Sequence, residues 1–359
     1  MSETAEQRAD VGVPQAGGPA PGGGAPPGER QEAAARRGAA VFIRQREATV
    51  FVVMVVLLIY FGLASSTFFS KSNITNLLSG YAAPIIILSI GEVLLLISGE
   101  IDLSVGFVFL FAPFLMHFLI DFYGVPVIPA ILISLFLGVV VGWVNGFLTV
   151  TVGVPSFITT LGTGFILWGL TLTTSHAYPA NVPASAQSIG KYLGSQNGGY
   201  VWSAIIWALA LVAFFHIVLT RTRWGLHTIA VGGNLLGARE SGISVARIKY
   251  GNFMICGLMG AIVGLMTAFY DNTIDPSAGQ YTPMFYAVTA AVIGGTAMLG
   301  GTGTIIGALL GAIVLATLQD GLSILGISAN PLNIIFGTAI LVAMVANVRL
   351  ARLRAAGRA

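Results

Sequence analysis

Long runs without a charged side chain dominate this sequence. Only 9% of its residues are Asp, Glu, Lys or Arg, against about 25% in a typical soluble domain, and a fold in water needs such side chains to cover its surface. A bilayer core of roughly 30 Å is spanned by a helix of about 20 apolar residues. The chain is therefore predicted to be an all-α, polytopic protein of the lipid bilayer. The uncharged runs are 48–70, 72–91, 103–120, 122–190, 192–220, 250–270, 276–319 and 321–348.

Two of these runs are longer than one span, and turn residues divide them. Residues 122–190 hold two spans separated at 153–155, Gly-Val-Pro, and residues 276–319 are divided by the glycines at 300, 301 and 303. This division predicts about ten transmembrane helices, with boundaries good to a few residues. Their ranges are near 48–70, 76–98, 103–121, 127–152, 155–175, 200–220, 250–270, 283–300, 303–326 and 332–348.

The N-terminal region, residues 1–38, has a different composition. Its tract Pro14–Pro27, PQAGGPAPGGGAPP, has nothing to bury. We therefore predict a disordered Pro/Gly-rich cytosolic tail, followed by a transmembrane domain over residues 39–359. No short apolar core with a cleavage site follows Met1, so the tail is not expected to be a signal peptide.

The distribution of basic residues predicts the orientation. Ten spans place both termini on one side, and if that side is the cytosol, the inner segments are 1–47, 221–249 and 349–359. These segments hold 15 of the 17 Lys and Arg residues, which leaves only Lys71 and Lys191 elsewhere. The positive-inside rule predicts this bias. We therefore expect both termini to be cytosolic.

A faint internal repeat accompanies the spans. At an offset of 175 residues, 145–146 (Asn-Gly) align with 320–321 (Asp-Gly), and 162–163 align with 337–338 (both Gly-Thr). The paired spans run in opposite directions, which is the pattern of an inverted-topology 5+5 repeat. Chance matches in a Gly-rich chain are the alternative explanation.

The segment 98–106, SGEIDLSVG, places two carboxylates, Glu100 and Asp102, between two spans. Carboxylates at a membrane turn are costly unless they are solvated or paired. Two interpretations stay open: a cytosolic-side turn with solvated acids, or a broken helix whose backbone groups and carboxylates line a central pathway. Ser104 is expected to cap a helix that begins near Val105.

Glu92 falls in the middle of the second predicted span. An ionisable group at that depth costs about 2.5–3.5 kcal/mol on insertion scales, so it should face protein or water. It is either a structural carboxyl packed against a neighbouring helix or a group that lines the pathway. The candidate pathway residues are Glu92, Asp102, Ser104, Asn145, Thr160 and Thr163.

Glycines recur at four-residue spacing on two spans. Small residues at this spacing let helix backbones approach closely, so we expect intramolecular helix packing, with a dimer seam as the alternative. The glycines are Gly138 and Gly142 on the fourth span, and Gly303, Gly307 and Gly311 on the ninth.

Residues 221–249 form the only long predicted cytosolic loop between spans. Asn234 suits the N-cap of a short helix over 235–241, and Gly242 suits its C′ position. Ser244 would then cap the next helix. A generic basic loop requires no such capped helix.

Four stretches together resemble one family of permeases. They are GEIDLSVG at 99–106, PSFITTLGT at 155–163, AVGGN at 230–234 through SGI at 241–243, and IGGT at 293–296 with LGGTGT at 299–304 and Gly307. In this order, and over residues 45–350, the chain resembles the ribose/xylose/arabinose-type sugar permease subunits of ABC importers. Branched-chain amino-acid permeases share that superfamily. Glu100 departs from the family pattern, which usually has glycine there.

The resemblance implies the membrane-spanning, non-enzymatic subunit of an ATP-driven monosaccharide importer in the bacterial plasma (inner) membrane. The implied partners are an ABC ATPase subunit, which holds ATP and magnesium, an extracytoplasmic sugar-binding protein, and a second permease subunit, as a homodimer. No cofactor is expected on this chain. In such permeases the cytosolic loop carries a coupling helix that docks onto the ATPase. The matching residues are Asn234, Leu235, Arg239, Glu240, Ser241 and Gly242.

Several other functions lack the residues they need. Cys256 is the single cysteine, which excludes internal disulfides and a Cys-cluster metal site, and no metal site is predicted. No phosphate-binding G-x-x-x-x-G-K-[ST] motif occurs, since Gly190-Lys191 is followed by Tyr192. Nucleic acid is not expected as a partner of so apolar a chain. A membrane-embedded enzyme would need an acid–base or metal constellation that the sequence does not offer.

Two alternatives stay open at this point. One is an ABC permease for branched-chain amino acids or nucleosides. The other is a secondary transporter coupled to protons through Glu92 and Asp320.

Overall fold

The structure, a computed structural model, describes three continuous parts of the chain, residues 46–194, 202–278 and 281–327. Within these parts the chain is almost entirely helical, and the β structure consists of one antiparallel pair of two-residue strands. Single positions are also described, and all of them are helical: 334, 335, 337, 338, 341, 342, 345 and 349.

The three continuous parts of the described chain contain twelve α-helices and two short strands, in the order given at the end of this paragraph. Helix α2 contains a π-helical segment, Asn76–Ala82, and α4 ends in another, Phe147–Val152. The elements are α1 (Arg46–Ala64), α2 (Lys71–Ile97), α3 (Val105–Asp121), α4 (Val127–Val152), α5 (Ser156–Ser175), β1 (Ala180–Asn181), α6 (Gln187–Leu193), α7 (Ser203–Arg221), α8 (Arg223–Gly233), α9 (Leu235–Glu240), α10 (Val245–Asp271), β2 (Thr273–Ile274), α11 (Tyr281–Ile293) and α12 (Ile305–Ile324).

Nine of the ten predicted spans coincide with helices in the described residues. Seven helices are long and apolar enough to cross a membrane, and α3 and α11 are shorter apolar helices. The tenth predicted span, 332–348, falls mostly outside the described residues, as does the N-terminal tail. The number of ten spans and the 5+5 repeat therefore stay predictions.

Helix ends differ from the predicted ranges where turn residues intervene. Helix α11 ends at Ile293 rather than near 300, because Gly295 has a φ of +90° that does not continue a helix. The prediction that Gly303 lies on the ninth span is wrong, since this residue precedes the helix. The helix α12 begins only at Ile305, because the Thr304 side chain accepts a hydrogen bond from the N–H of Gly307 and caps it.

Helices α2 and α10 form the centre of the fold. In the most apolar window of each helix, 83% of the residues are buried in α2 and 67% in α10, compared with 11% in α1. Helix α1 leaves large apolar side chains such as Val56, Ile59 and Leu63 exposed, as expected of a helix that faces lipid. Inside a bilayer, close packing rather than exclusion of water holds such helices together.

Two glycines of α4 contact the backbone of α10 at very short range. A Cβ built on Gly138 would lie 2.3 Å from the carbonyl oxygen of Gly257, and one built on Gly142 would lie 2.2 Å from that of Phe253. No side chain fits there, so glycine permits the contact between the two backbones. The structure thus places Gly138 and Gly142 at an intramolecular helix contact.

Helix α12 packs against α11 in the same way. A Cβ on Gly307 would lie 2.1 Å from the carbonyl oxygen of Gly294, and one on Gly311 would lie 2.1 Å from that of Ala290. Gly303, in the turn before α12, packs instead against the side chains of Ile97 and Thr296.

Contacts between helix ends agree with spans that alternate in direction. At the predicted cytosolic side, Thr304 Oγ1 donates to Glu47 Oε1 at 2.6 Å, and the N–H of Gly301 donates to the carbonyl of Ile97 at 2.8 Å. At the opposite side, β1 pairs with β2. Each contact joins two segments that the charge distribution assigns to the same side.

Candidate functional site

The connection between α2 and α3 carries a buried polar cluster. Gly99, with a φ of +81°, reverses the chain after α2, and the next residues fold back into the protein. Asp102 and Ser104 are both fully buried. The backbone N–H of Ser104 donates to Asp102 Oδ1 at 2.8 Å, and its hydroxyl donates to the same oxygen at 2.6 Å. A turn with solvated acids is therefore the wrong interpretation for Asp102.

Asn145 and Thr163 complete this cluster from two other helices. Asn145 Nδ2 donates to Ser104 Oγ at 2.8 Å and lies 3.4 Å from each carboxylate oxygen of Asp102. Thr163 Oγ1 donates to Asn145 Oδ1 at 2.7 Å. These four residues, called the Asp102 cluster below, join the α2–α3 connection to α4 and α5. Thr160 is buried nearby on α5, and its hydroxyl donates to a carbonyl of its own helix.

The predicted capping role of Ser104 is wrong. Ser104 occupies the N-cap position of α3, but its side chain makes no capping hydrogen bond. Its hydroxyl donates to Asp102, and its oxygen accepts from Asn145. Burial raises the pKa of the Asp102 carboxyl, and the hydrogen bonds from Ser104 and Asn145 oppose that rise. The cluster thus provides donors that favour the charged carboxylate.

Glu92 lies beside the Asp102 cluster, in the last two turns of α2 rather than in the middle of a span. Its side chain is fully buried. The Cys256 thiol on α10 donates to Glu92 Oε1 across 3.7 Å, and Oε2 has no hydrogen-bond partner among the described residues. Whether Glu92 lines the pathway stays a prediction.

Glu100, the departure from the family pattern, forms an ion pair with Lys249 on α10. The two side chains are only 13% and 14% exposed. Sequence reasoning did not find this pair, because 149 residues separate its members and either charge alone is compatible with a cytosolic turn. The pair joins the α2–α3 connection to the N-terminal part of α10.

The short helix predicted in the cytosolic loop is present as α9. Asn234 Oδ1 accepts a hydrogen bond from the N–H of Gly237 at 2.9 Å, and Gly242 has a φ of +78°, so both predicted helix ends are confirmed. Ser244 occupies the N-cap position of α10 without a capping hydrogen bond, so its predicted role is wrong.

One face of α9 is open. Leu236 is 67% exposed and Leu235 is 41% exposed, and the charged pair Arg239 and Glu240 lies beside them, also exposed. Ser241 follows at the exposed C-terminal end of the helix. Exposed leucines next to an arginine are typical of a surface that another protein covers.

Asn252 on α10, which sequence reasoning missed, connects this loop to the core. It is fully buried. Trp224 Nε1 on α8 donates to Asn252 Oδ1 at 3.0 Å, and Asn252 Nδ2 donates to the carbonyl of Leu94 on α2 at 3.2 Å. An amide inside a run without charged residues is the one signal that points to it. An apolar cluster also joins α8 and α9 to the start of α10: Val231, Ala238, Val245 and Ile248.

A second polar cluster lies at the opposite ends of the helices. Asp320 on α12 is 1% exposed. Asn73 Nδ2 donates to Asp320 Oδ2 at 2.7 Å, and Asn76 Nδ2 lies 3.4 Å from Asp320 Oδ1. Tyr270 Oη on α10 donates to Asn76 Oδ1 at 3.2 Å. Asp320 is visible in the sequence as a carboxylate inside an apolar run, but its amide partners on α2 are not.

Membrane-length helices that enclose buried polar clusters, with an exposed short helix at one side, define a multi-pass membrane permease. The described residues contain no group of three or more His, Cys, Asp or Glu side chains that would hold a metal ion. Residues 73–345 match the family model described as branched-chain amino acid transport system / permease component. The chain belongs to this family of permease subunits of ABC transporters.

Among curated proteins, the chain is similar to sugar permeases of this family. It is 36% identical to the xylose/arabinose import permease protein of Sulfolobus acidocaldarius, over 80% of each chain. It is 31% identical to the ribose import permease protein of Escherichia coli, over 78% of this chain and 87% of the relative. It is 29% identical to the fructose import permease protein of Rhizobium meliloti, over 80% and 81%. The predicted sugar-type ABC permease family is confirmed. No solved structure matches the chain.

Proposed function

We propose that the chain is the membrane-spanning subunit of an importer for a monosaccharide, a pentose or a similar sugar, driven by a separate ATPase. Relatives named for xylose/arabinose, ribose and fructose support this substrate class over branched-chain amino acids or nucleosides. A binding protein delivers the sugar at the extracytoplasmic side, and two copies of the permease enclose the pathway. The termini and α9 lie in the cytosol of a bacterial cell, as the basic residues favour.

The attachment of α9 to the core is the observation that carries this proposal. The exposed face of α9, with Leu236, Arg239 and Glu240, is the surface that we assign to the ATPase. Behind that face, α9 packs on the start of α10, and Asn252 joins α8 to α2 and α10. A displacement of α9 by the ATPase therefore moves the two central helices of the fold.

The ion pair extends this connection to the Asp102 cluster. Lys249 lies near the start of α10, and its partner Glu100 lies two residues before Asp102. Asp102 in turn holds Asn145 on α4 and, through it, Thr163 on α5. We infer that movement at α9 reaches the candidate pathway residues along this route.

Reconstitution in proteoliposomes with the ATPase and the binding protein tests this assignment. Arg239→Glu and Glu240→Lys should abolish the stimulation of ATP hydrolysis by the loaded binding protein, while the permease still inserts into membranes. The matched control is Lys191→Glu, an exposed charge reversal on α6 at the predicted extracytoplasmic side. Normal coupling in both α9 variants would contradict the proposal.

The energy source separates this proposal from proton-coupled transport. That alternative needs Glu92 and Asp320, which in the described residues belong to separate clusters with no common hydrogen-bond partner. Uptake should require ATP and survive a protonophore, and the opposite result would favour the alternative. Glu92→Gln tests the carboxyl itself, since an unchanged uptake rate with an unchanged pH dependence would remove Glu92 from the pathway.

A further inference from the structure

A cavity of about 210 Å³ lies between α2, α7 and α10, near their predicted extracytoplasmic ends. One wall is contributed by the π-helical segment of α2, and the facing wall by the last turns of α10. A larger polar recess adjoins it on the outer side and shares Asn76 and Tyr270 with it. The polar and aromatic residues of the cavity itself are Asn76, Ser79, Tyr81, Thr267, Tyr270 and Asp271.

Two hydroxyls of this cavity have no hydrogen-bond partner among the described residues. They are Ser79 Oγ and Thr267 Oγ1, both buried atoms, and the Ser79 residue is only 2% exposed. The buried hydroxyls of Ser134 and Thr171, by comparison, each donate to a carbonyl of their own helix. A buried hydroxyl without a partner is unfavourable, so a ligand that supplies one is stabilised there.

The backbone around the cavity is shaped to keep it open. The segment Asn76–Ala82 is π-helical, and such segments frequently accompany functional sites. A Cβ built on Gly80 would lie 2.8 Å from Asn76 Oδ1 and 2.9 Å from Tyr270 Oη. Glycine at this position therefore leaves room for the hydrogen bond between Tyr270 and Asn76 that forms part of the wall.

We propose that this cavity is a binding site for one monosaccharide within each permease subunit, an inference that rests on the proposed function. Sugar hydroxyls both donate and accept, so they match the hydroxyls of Ser79 and Thr267 and the amide of Asn76, and they donate to the Asp271 carboxylate. The tyrosines add aromatic surface for the apolar face of a sugar ring.

The size and the position of the cavity fit the same ligand. Its volume lies below the range of about 300–1,000 Å³ that holds drug-sized ligands, so it suits a single ring rather than an oligosaccharide. It lies at the side where a binding protein releases sugar, in contrast to the Asp102 cluster near the cytosolic ends. We therefore assign it the step between release from the binding protein and entry into the pathway that the two copies enclose.

Two isosteric variants test the site through transport. The combined variant Ser79→Ala/Thr267→Val removes both unpartnered hydroxyls and keeps the shape of the cavity. The matched control, Ser134→Ala/Thr171→Val, removes two buried hydroxyls that are satisfied within their own helices. Uptake of D-xylose, L-arabinose, D-ribose and D-fructose is measured in proteoliposomes that contain the complete transporter. We expect the KM of the transported sugar to rise by about tenfold in the cavity variant, since two hydrogen bonds are lost, and to stay unchanged in the control.

A labelling experiment gives a second readout that does not depend on transport. Thr267→Cys in the complete transporter is treated with a membrane-impermeant thiol reagent, with the wild type, whose Cys256 is buried, as background. The transported sugar should slow the labelling several-fold, whereas glycine betaine at the same concentration should not.

The outcomes separate the two proposals. A wild-type transporter that takes up none of the four sugars would contradict the proposed function. A wild-type transporter that takes up one of them, with an unchanged KM in the cavity variant and no protection of Thr267→Cys, would overturn only the site proposed here.

Discussion

Lys249 on α10 and Glu100 in the α2–α3 connection form an ion pair whose side chains are only 14% and 13% exposed. The resemblance to the permease family implies glycine at position 100, so Glu100 adds a charge there, and Lys249 pairs with it. The pair joins the start of α10, on which α9 packs, to the connection that carries the Asp102 cluster. The ion pair therefore stabilises the contact between α10 and the α2–α3 connection, and it is a candidate for transmitting movement from α9 to the Asp102 cluster.

Removing one charge of this pair should destabilise the permease strongly. Glu100→Gln leaves Lys249 without its partner, and breaking a fully buried pair costs about 3–5 kcal/mol, so a loss near the lower limit is expected at this slightly exposed site. The exchange Glu100→Lys/Lys249→Glu should restore most of the stability. The thermal midpoint of the purified permease in detergent measures both effects.

The control for this pair is Asp121→Asn. Asp121 is 43% exposed and lies 3.0 Å from His117 one turn earlier on α3, and such exposed pairs contribute about 0–1 kcal/mol. If Glu100→Gln and Asp121→Asn lower the midpoint equally, the ion pair with Lys249 has no special role.

The stability of the permease is expected to depend on both the size and the charge of the side chain at position 145. Asn145→Ala removes the partner of Ser104 and Thr163, and each buried group left without a hydrogen bond costs about 1–3 kcal/mol. Asn145→Asp keeps the shape but brings a second carboxylate beside Asp102, so it should be worse than alanine. Thermal unfolding in detergent compares these variants with Thr174→Val, an exposed threonine on α5. An aspartate variant as stable as the wild type would mean that Asp102 is not charged in the folded protein.

Gly138 should not tolerate even one added methyl group. In Gly138→Ala the Cβ would lie 2.3 Å from the carbonyl of Gly257, which forces α4 and α10 apart, and overpacking of this kind costs about 1–3 kcal/mol. Gly162→Ala is the control, because nothing lies within 4 Å of the position of its Cβ, and alanine there favours the helix by up to about 1 kcal/mol. The thermal midpoints of the two variants should move in opposite directions. Equal changes would argue against a close contact between α4 and α10.

Asn252→Ala tests the connection between α8 and the central helices. The variant removes the acceptor of Trp224 and the donor to Leu94, so α8 should move more independently of α2. We expect the ATPase activity of the complete transporter to respond less to the loaded binding protein, with at least part of the basal hydrolysis retained. The control is Asn181→Ala, an exposed position on β1. Full stimulation in Asn252→Ala would show that the signal does not pass through this residue.

Helices with strong local signals were predicted well. The uncharged runs predicted nine helices of the described residues, because a chain of this composition can only be placed in lipid as helices of about twenty residues. The caps of α9 were also predictable, since Asn234 and Gly242 act within one turn of the helix that they end. The comparisons confirmed the family that the motifs indicated.

Two predictions made from neighbouring residues in the sequence failed, one for Ser104 and one for Gly303. Ser104 has the sequence position of a helix cap, yet its hydroxyl donates to Asp102, which is buried beside it. Gly303 continues the four-residue spacing of Gly307 and Gly311, yet the cap at Thr304 starts the helix after it. In both cases the local structure follows a hydrogen bond of the side chain at or next to that position, between Ser104 and Asp102 and between Thr304 and Gly307.

The sequence by itself determined that the chain lies in a bilayer, where its helices run, and which family of permeases it belongs to. These properties depend on composition and on residues a few positions apart. Only the tertiary structure decided that Glu100 pairs with Lys249, that Asn145 joins Asp102, and that a polar cavity opens between α2 and α10. Such contacts depend on how distant helices pack against one another, and close packing through glycine is specified by all the helices together rather than by any one segment.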